Sequence, residues 1–201
     1  MESKRRTQEE RSAATRGALI AAARRLWGER GYAEVGTPEI ATAAGVTRGA
    51  MYHQFADKAA LFRDVFEAVE QDVMARMATV VGGSGATTPT DAIRAAVDAW
   101  LDISGDPEVR QLMLLDAPSV LGWAGFREIA QRYSLGMTET LLSEAIKAGE
   151  LADQPVRPLA HVLIGALDEA AMYIAAAEGP DRARRETGEV LHRLIDGMLR
   201  G

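Results

Sequence analysis

Apolar residues recur along almost all of this 201-residue chain at helical spacing, and nowhere do they alternate as a half-buried strand requires. Over 15–30, Ala18, Leu19, Ala22, Ala23, Leu26 and Trp27 share one stripe before Gly31 supplies a stop. Two short helices are expected over 38–44 and 48–55, parted by Gly45-Val46-Thr47. Asp57 is placed to cap a long helix carrying Leu61, Phe62, Val65, Phe66, Val69, Val73 and Met77. The Gly, Ser and Thr cluster ending at Pro89 is the clearest loop. Beyond it the pattern gives helices over 90–103, 107–115, 119–149, 156–177 and 181–199, with breaks at Ser104-Gly105, Pro118 and Gly179-Pro180. The fold class is all-α with about nine helices, and no fixed-period repeat points to a solenoid.

Charge divides this helical chain in two. The total is −6, which argues against a nucleic-acid partner, but residues 1–63 hold 11 Lys and Arg against 7 Asp and Glu, a net +4. Residues 64–201 hold 12 against 22, a net −10. A basic front on an acidic back is the asymmetry of a nucleic-acid-binding head joined to a body with another task. With no cysteine, disulfide scaffolds and Cys-based zinc modules are excluded. The most apolar segment, 159–177, is interrupted by His161 and by Asp168-Glu169, which a membrane helix would bear at a cost of roughly 2.5–3.5 kcal/mol per central acidic residue. The chain therefore reads as cytoplasmic, with no membrane partner.

The most specific pattern lies in the basic part. Thr37 can cap the first short helix, Ile40 and Ala41 face inward, Gly45 permits a sharp turn, Val46 plugs the space beneath it and Thr47 caps the second helix. This is the layout of a helix-turn-helix, whose second helix can enter the major groove, although an ordinary helical hairpin uses the same glycine and apolar spacing. The wording decides between them. Thr37-Pro38-Glu39-Ile40-Ala41-Thr42-Ala43-Ala44-Gly45-Val46-Thr47-Arg48-Gly49-Ala50-Met51-Tyr52-His53-Gln54-Phe55, with Lys58 and Leu61 after it, resembles the N-terminal domain of the TetR family of transcriptional regulators. The match covers about residues 14–65, departing at Pro38, which a first helical turn tolerates, and at Ala50, where a Ser or Thr is common.

The resemblance implies a flexible basic arm over 1–13, a DNA-binding domain over 14–63 and a ligand-binding and dimerisation domain over 64–201. It implies a sequence-specific regulator of transcription, not an enzyme, with no cofactor and no metal, binding double-stranded operator DNA as a homodimer and released by a small-molecule effector. Thr37, Tyr52 and Lys58 are assigned to phosphates, with core packing the alternative for Tyr52. Thr47 and Arg48 stand at the front of the recognition helix, where Arg is the preferred bidentate partner of guanine. Gly49 allows close approach, and His53 can touch phosphate or base. Met51 and Phe55 are core, while Arg5, Arg6, Arg11 and Arg16 precede or open the first helix as minor-groove contacts or as a solvated arm.

In the acidic part, the effector candidates are Trp100, Met113, Trp123, Phe126, Tyr133, Met137 and Tyr173, with Asp116, His161, Asp168 and Glu169 as polar anchors. Any one of the large groups is equally a core residue. Acidic anchors favour a cationic or hydrogen-bond-donating ligand. The dimer candidates are Gly165, Ala166, Ala170, Leu191, Leu194, Ile195 and Met198, with Leu199 at the end of the stripe, unless that stripe packs inside its own subunit. The rival class is a metal-binding bundle or enzyme using Glu189-x-x-His192, which lacks the second such pair a di-iron site needs.

Overall fold

A computed structural model describes residues 7–199, and these form helices joined by turns and loops, without a strand. Arg5, Arg6 and the C-terminal Arg200 and Gly201 lie outside the described residues, as does the side chain of Leu199. Helix α1 (Gln8–Arg30) begins seven residues earlier than the apolar stripe suggests. A reciprocal cap sets that start: the Thr7 hydroxyl accepts from the Glu10 amide at 3.2 Å, and the Glu10 carboxylate accepts from the Thr7 amide at 2.7 Å. Much of the stretch expected as a flexible arm is therefore helix. Gly31, at φ +82°, ends it.

Helices α2 (Thr37–Ala43), α3 (Arg48–Gln54) and the start of α4 (Lys58–Gly83) close over α1. Leu19, Ala23, Trp27, Ile40, Met51, Phe55, Leu61 and Phe62 form their shared core. The Trp27 indole N–H donates to the Val35 carbonyl at 3.3 Å, so this large side chain buries no unpaired donor. Arg16 is drawn into the same brace. Its guanidinium donates to the Gln54 carbonyl at 2.9 Å, pairs with Asp64 at 2.6 Å and lies 4.3 Å from the Phe55 ring centre.

The body follows as α5 (Pro89–Ile103), α6 (Pro107–Val109), α7 (Ala117–Ala130), α8 (Gly136–Lys147), α9 (Val156–Ala176) and α10 (Pro180–Leu199). Two wide, π-helical stretches, Arg110–Asp116 and Gln131–Leu135, join α6 to α7 and α7 to α8. Counting 107–147 as one helical body leaves eight helices among the described residues, against the nine expected. The break expected at Pro118 is absent. Proline sits in the first turn of α7 directly after the wide stretch, where a missing amide costs little, and the chain kinks at Gly122 (φ +66°, ψ +166°) instead.

Helix α4 starts in the head and ends in the body, and one continuous core spans both. Helix α9 is the most apolar: it is long and apolar enough by composition to cross a membrane, with a mean hydropathy of 1.4 over its best window, yet it carries Asp168 and Glu169. Little of that window is covered within the chain. Among the described residues, Val162 and Tyr173 on α9 and Val190 and Leu194 on α10 are large apolar side chains left exposed.

Candidate nucleic-acid interface and body cavity

The α2–turn–α3 unit is held from behind and open in front. Gly45 adopts φ +67°, a left-handed conformation that favours glycine, and Val46 packs against the core beneath it. Thr47 caps α3, its hydroxyl accepting from the Ala50 amide at 3.1 Å. Met51 and Phe55 anchor the inner side of α3. That leaves Arg48, Gly49, Tyr52 and His53 exposed on one outward surface. Tyr52 is 43% exposed, which removes the core alternative.

Thr37 is not the cap of α2. It is the first helical residue, after Gly36, and its hydroxyl lies 3.2 Å from the Tyr52 hydroxyl. The Arg48 guanidinium lies 5.6 Å from the Tyr52 ring centre. The hydrogen bond from Thr37, then Arg48, holds the Tyr52 phenol below its ordinary pKa, so Thr37, Arg48 and Tyr52 form one polar cluster. A methyl group added at Gly49 would meet only the Thr47 hydroxyl, at 3.9 Å, so packing within the chain does not require glycine there. Lys58 points inward: its ammonium donates to the Tyr32 carbonyl at 2.5 Å and lies 3.9 Å from the Tyr32 ring centre. Burial lowers its pKa.

A body cavity of about 640 Å³, its open mouth included, is lined by residues of α4, α5, α7, α8, α9 and the wide stretches. Of the residues expected there, Trp100, Met113, Phe126, Met137 and Asp168 line it. Asp116 does not: its carboxylate accepts from the Tyr32 amide at 2.9 Å. Trp123 is 70% exposed and Tyr173 59% exposed. Tyr133 turns outward to accept from the Gln71 amide at 3.0 Å, and His161 contacts Arg127 beside the mouth.

Three ionisable groups do line the cavity: Glu70, Arg127 and Asp168. Glu70, which sequence reasoning missed, is 2% exposed, and its Oε2 has no hydrogen-bond partner. Burial, with Asp168 nearby, pushes the Glu70 carboxyl up to about 7. Burial pushes Asp168 up to about 6 against the pull of Arg127. Glu70 was findable, because it falls on the buried stripe of Phe66, Val69, Val73 and Met77, where a carboxylate is out of place.

Of the expected dimer residues, Ala170, Leu191 and Ile195 are buried inside this subunit, whereas Leu194 and Gly165 are exposed and Ala166 and Met198 half-buried. The stripe on α10 thus serves two surfaces. Glu189 and His192 do not converge on a metal position: Glu189 is exposed, and His192 turns to Asp98 of α5 at 3.2 Å.

Two family models match the chain: "Bacterial regulatory proteins, tetR family" over residues 19–65, and "Tetracyclin repressor-like, C-terminal domain" over 90–198. An HTH-type transcriptional repressor of Mycobacterium tuberculosis is 28% identical over 177 residues, 88% of this chain and 91% of its own. The crystal structure of a TetR-family transcriptional regulator from Pectobacterium atrosepticum is similar at a TM-score of 0.81 and 30% identity, over 96% of this chain and 98% of that one. RolR in complex with resorcinol has a similar fold, with a TM-score of 0.73 at 19% identity over 93% and 90% of the two chains.

Proposed function

The chain belongs to the TetR family of bacterial regulatory proteins, and from that premise we propose that it is a repressor which grips a palindromic operator as a homodimer and releases it when a small molecule enters the body cavity. It is a DNA-binding regulator of transcription, not an enzyme. Proteins of this family bind operator DNA and small-molecule ligands. Its place of action is the bacterial cytoplasm, with the DNA.

The observation that carries the reading is the capped recognition helix, held by Met51 and Phe55 and presenting Arg48, Gly49, Tyr52 and His53 outward. Arg48 and Thr47 read base edges, while Thr37, Tyr52 and His53 position the helix on phosphates, and Lys58 joins them only by leaving the Tyr32 carbonyl. Selection of bound DNA from a random pool at fixed salt tests this. A palindromic consensus is expected, and Arg48→Ala should relax one position per half-site, at about 1–3 kcal/mol. Absence of any sequence preference overturns it.

One such helix reads only a few base pairs, so two are needed on successive major grooves. The exposed apolar side chains of α9 and α10 support a second copy of this chain as their cover, with Gly165 and Ala166 allowing close approach. Leu194, 58% exposed, is one of them. Leu194→Asp should give a monomer in sedimentation and lose specific operator affinity by on the order of a thousandfold. A dimer of unchanged stability would place the interface elsewhere.

Coupling between cavity and head runs through more than α4. Met113 and Leu114 line the cavity, while Asp116, in the same wide stretch, holds the Tyr32 amide of the head. Glu108, just before that stretch, accepts two hydrogen bonds from Arg24 of α1, at 3.0 and 2.8 Å. A ligand that shifts the 107–116 segment therefore pulls on the head at two points, and respacing the recognition helices favours release.

A further inference from the structure

The wall of the body cavity is apolar and adaptable, with methionines from α4, α8 and the Arg110–Asp116 stretch together with Trp100 and Phe126. Its hydroxyls are already used: Ser134 donates to the Ala130 carbonyl and Thr138 to the Ser134 carbonyl, both at 3.0 Å. The Trp100 indole N–H donates to the Leu167 carbonyl at 3.2 Å. Arg127 is engaged by His161 and lies 5.2 Å from the Trp123 ring centre. Against these stand two carboxylates, and the deeper one, Glu70, keeps a buried oxygen with no donor facing it.

A buried carboxylate left without a donor in the wall of a cavity is a cost that its occupant can remove. An anion would meet two acidic groups and one arginine that already has partners. A neutral donor would satisfy one carboxylate and leave the other. We propose that the cavity binds a small organic cation, an amine or quaternary ammonium on an aromatic body, with its charge against Glu70 and Asp168 and its body against Trp100 and Phe126. This rests on the reading of the cavity as the effector site. Aromatic faces add attraction for such a cation.

The groups facing Glu70 are Asp168 of α9 and, beside it, Arg127 of α7, with His161 touching Arg127; α5, α8 and the wide stretches contribute no ionisable lining residue. With its carboxyl titrating near 7, Glu70 is protonated in part of the empty population at neutral pH. Cation entry releases that proton to solvent, so binding tightens as pH rises.

Calorimetry on the full chain with benzyltrimethylammonium, its uncharged carbon isostere neopentylbenzene, and phenylacetate tests the charge preference directly. The ammonium does not titrate, so any pH dependence belongs to the protein. The cation is expected to bind at least about tenfold more tightly than the isostere at pH 8, and to lose about tenfold between pH 8 and 6. Glu70→Gln should sharply reduce both the preference and the pH slope, leaving only the part that Asp168 supplies, while keeping the isostere's affinity, which also shows that the variant is folded. His161→Gln should retain both, since imidazoles also change charge near neutrality. An isostere or phenylacetate that binds as well as the cation, or a preference undiminished in Glu70→Gln, overturns the ligand class and leaves the cavity as the effector site. Failure of all three probes to bind the unmodified chain overturns the cavity reading together with the proposal.

Discussion

The head and the body make their sites in opposite ways. On the head, every supporting group is satisfied: Thr47 caps α3, Trp27 and Arg16 have their partners, and the residues offered to DNA are exposed. In the body, the site is made from what is left unsatisfied, the buried Glu70 carboxylate with its unpaired oxygen, beside the half-buried Asp168 in an apolar wall. A surface that reads DNA meets a ligand that brings its own charge and water, so it needs rigidity behind it and freedom in front. A cavity that senses a small molecule gains selectivity from unmet polar demand, and the fold bears that cost when the site is empty.

The largest effect that would break this contrast is at Glu70. Its folded carboxyl titrates near 7 and its unfolded one near 4.5, so the folded state binds the proton more tightly. The group is harmless to stability below about pH 4.5; its penalty grows as pH rises through 7 and is complete above it. Glu70→Gln should therefore match the parent in denaturant unfolding at pH 4.5 and exceed it at pH 8 by on the order of 3 kcal/mol. Equal stability at both would mean that the body stores no such cost.

On the head the corresponding test is Gly49. An added β-carbon would meet only the Thr47 hydroxyl, at 3.9 Å, so Gly49→Leu should leave the melting temperature unchanged or slightly raised, since glycine inside a helix costs roughly 0.5–1 kcal/mol. Operator affinity should fall by about 2 kcal/mol through lost close contacts to phosphate, the size of one hydrogen bond to a charged group. Loss of stability with unchanged DNA binding would make the glycine a packing residue and erase the contrast.

The same difference explains what could be read from the sequence. The turn at Gly45 and the cap at Thr47 are local, and short-range spacing with characteristic residue types was enough to place them. Glu70 was visible as a charge on a buried stripe, but only once the stripe is known to be covered. Periodicity cannot say which neighbour covers a face, so Leu191 and Ile195, turned inward, looked the same as Val190 and Leu194, turned outward. Aromatic size misled at Trp123 and Tyr173, because size reports affinity for an apolar surface and not where that surface is. The family pattern assigns Lys58 to phosphate, whereas its inward turn onto Tyr32 depends on the turn after α1, 26 residues away in sequence.

Lys58 gives the smallest and most discriminating test, because it sits where the two kinds of site meet. Tyr32 is held on one side by Lys58, through its carbonyl, and on the other by Asp116, through its amide. If Lys58 swings from Tyr32 to a phosphate when DNA binds, Lys58→Ala removes one neutralised phosphate per subunit. The slope of log affinity against log salt should then fall by about 0.9 per half-site, with all sequences weakened alike. Its melting temperature should also drop slightly, since the Tyr32 carbonyl loses a donor. A lower melting temperature with an unchanged salt slope would place Lys58 among the satisfied supports of the head, a brace for Tyr32 and a part of the route from the cavity, and leave Tyr52, Thr37 and His53 as the phosphate contacts.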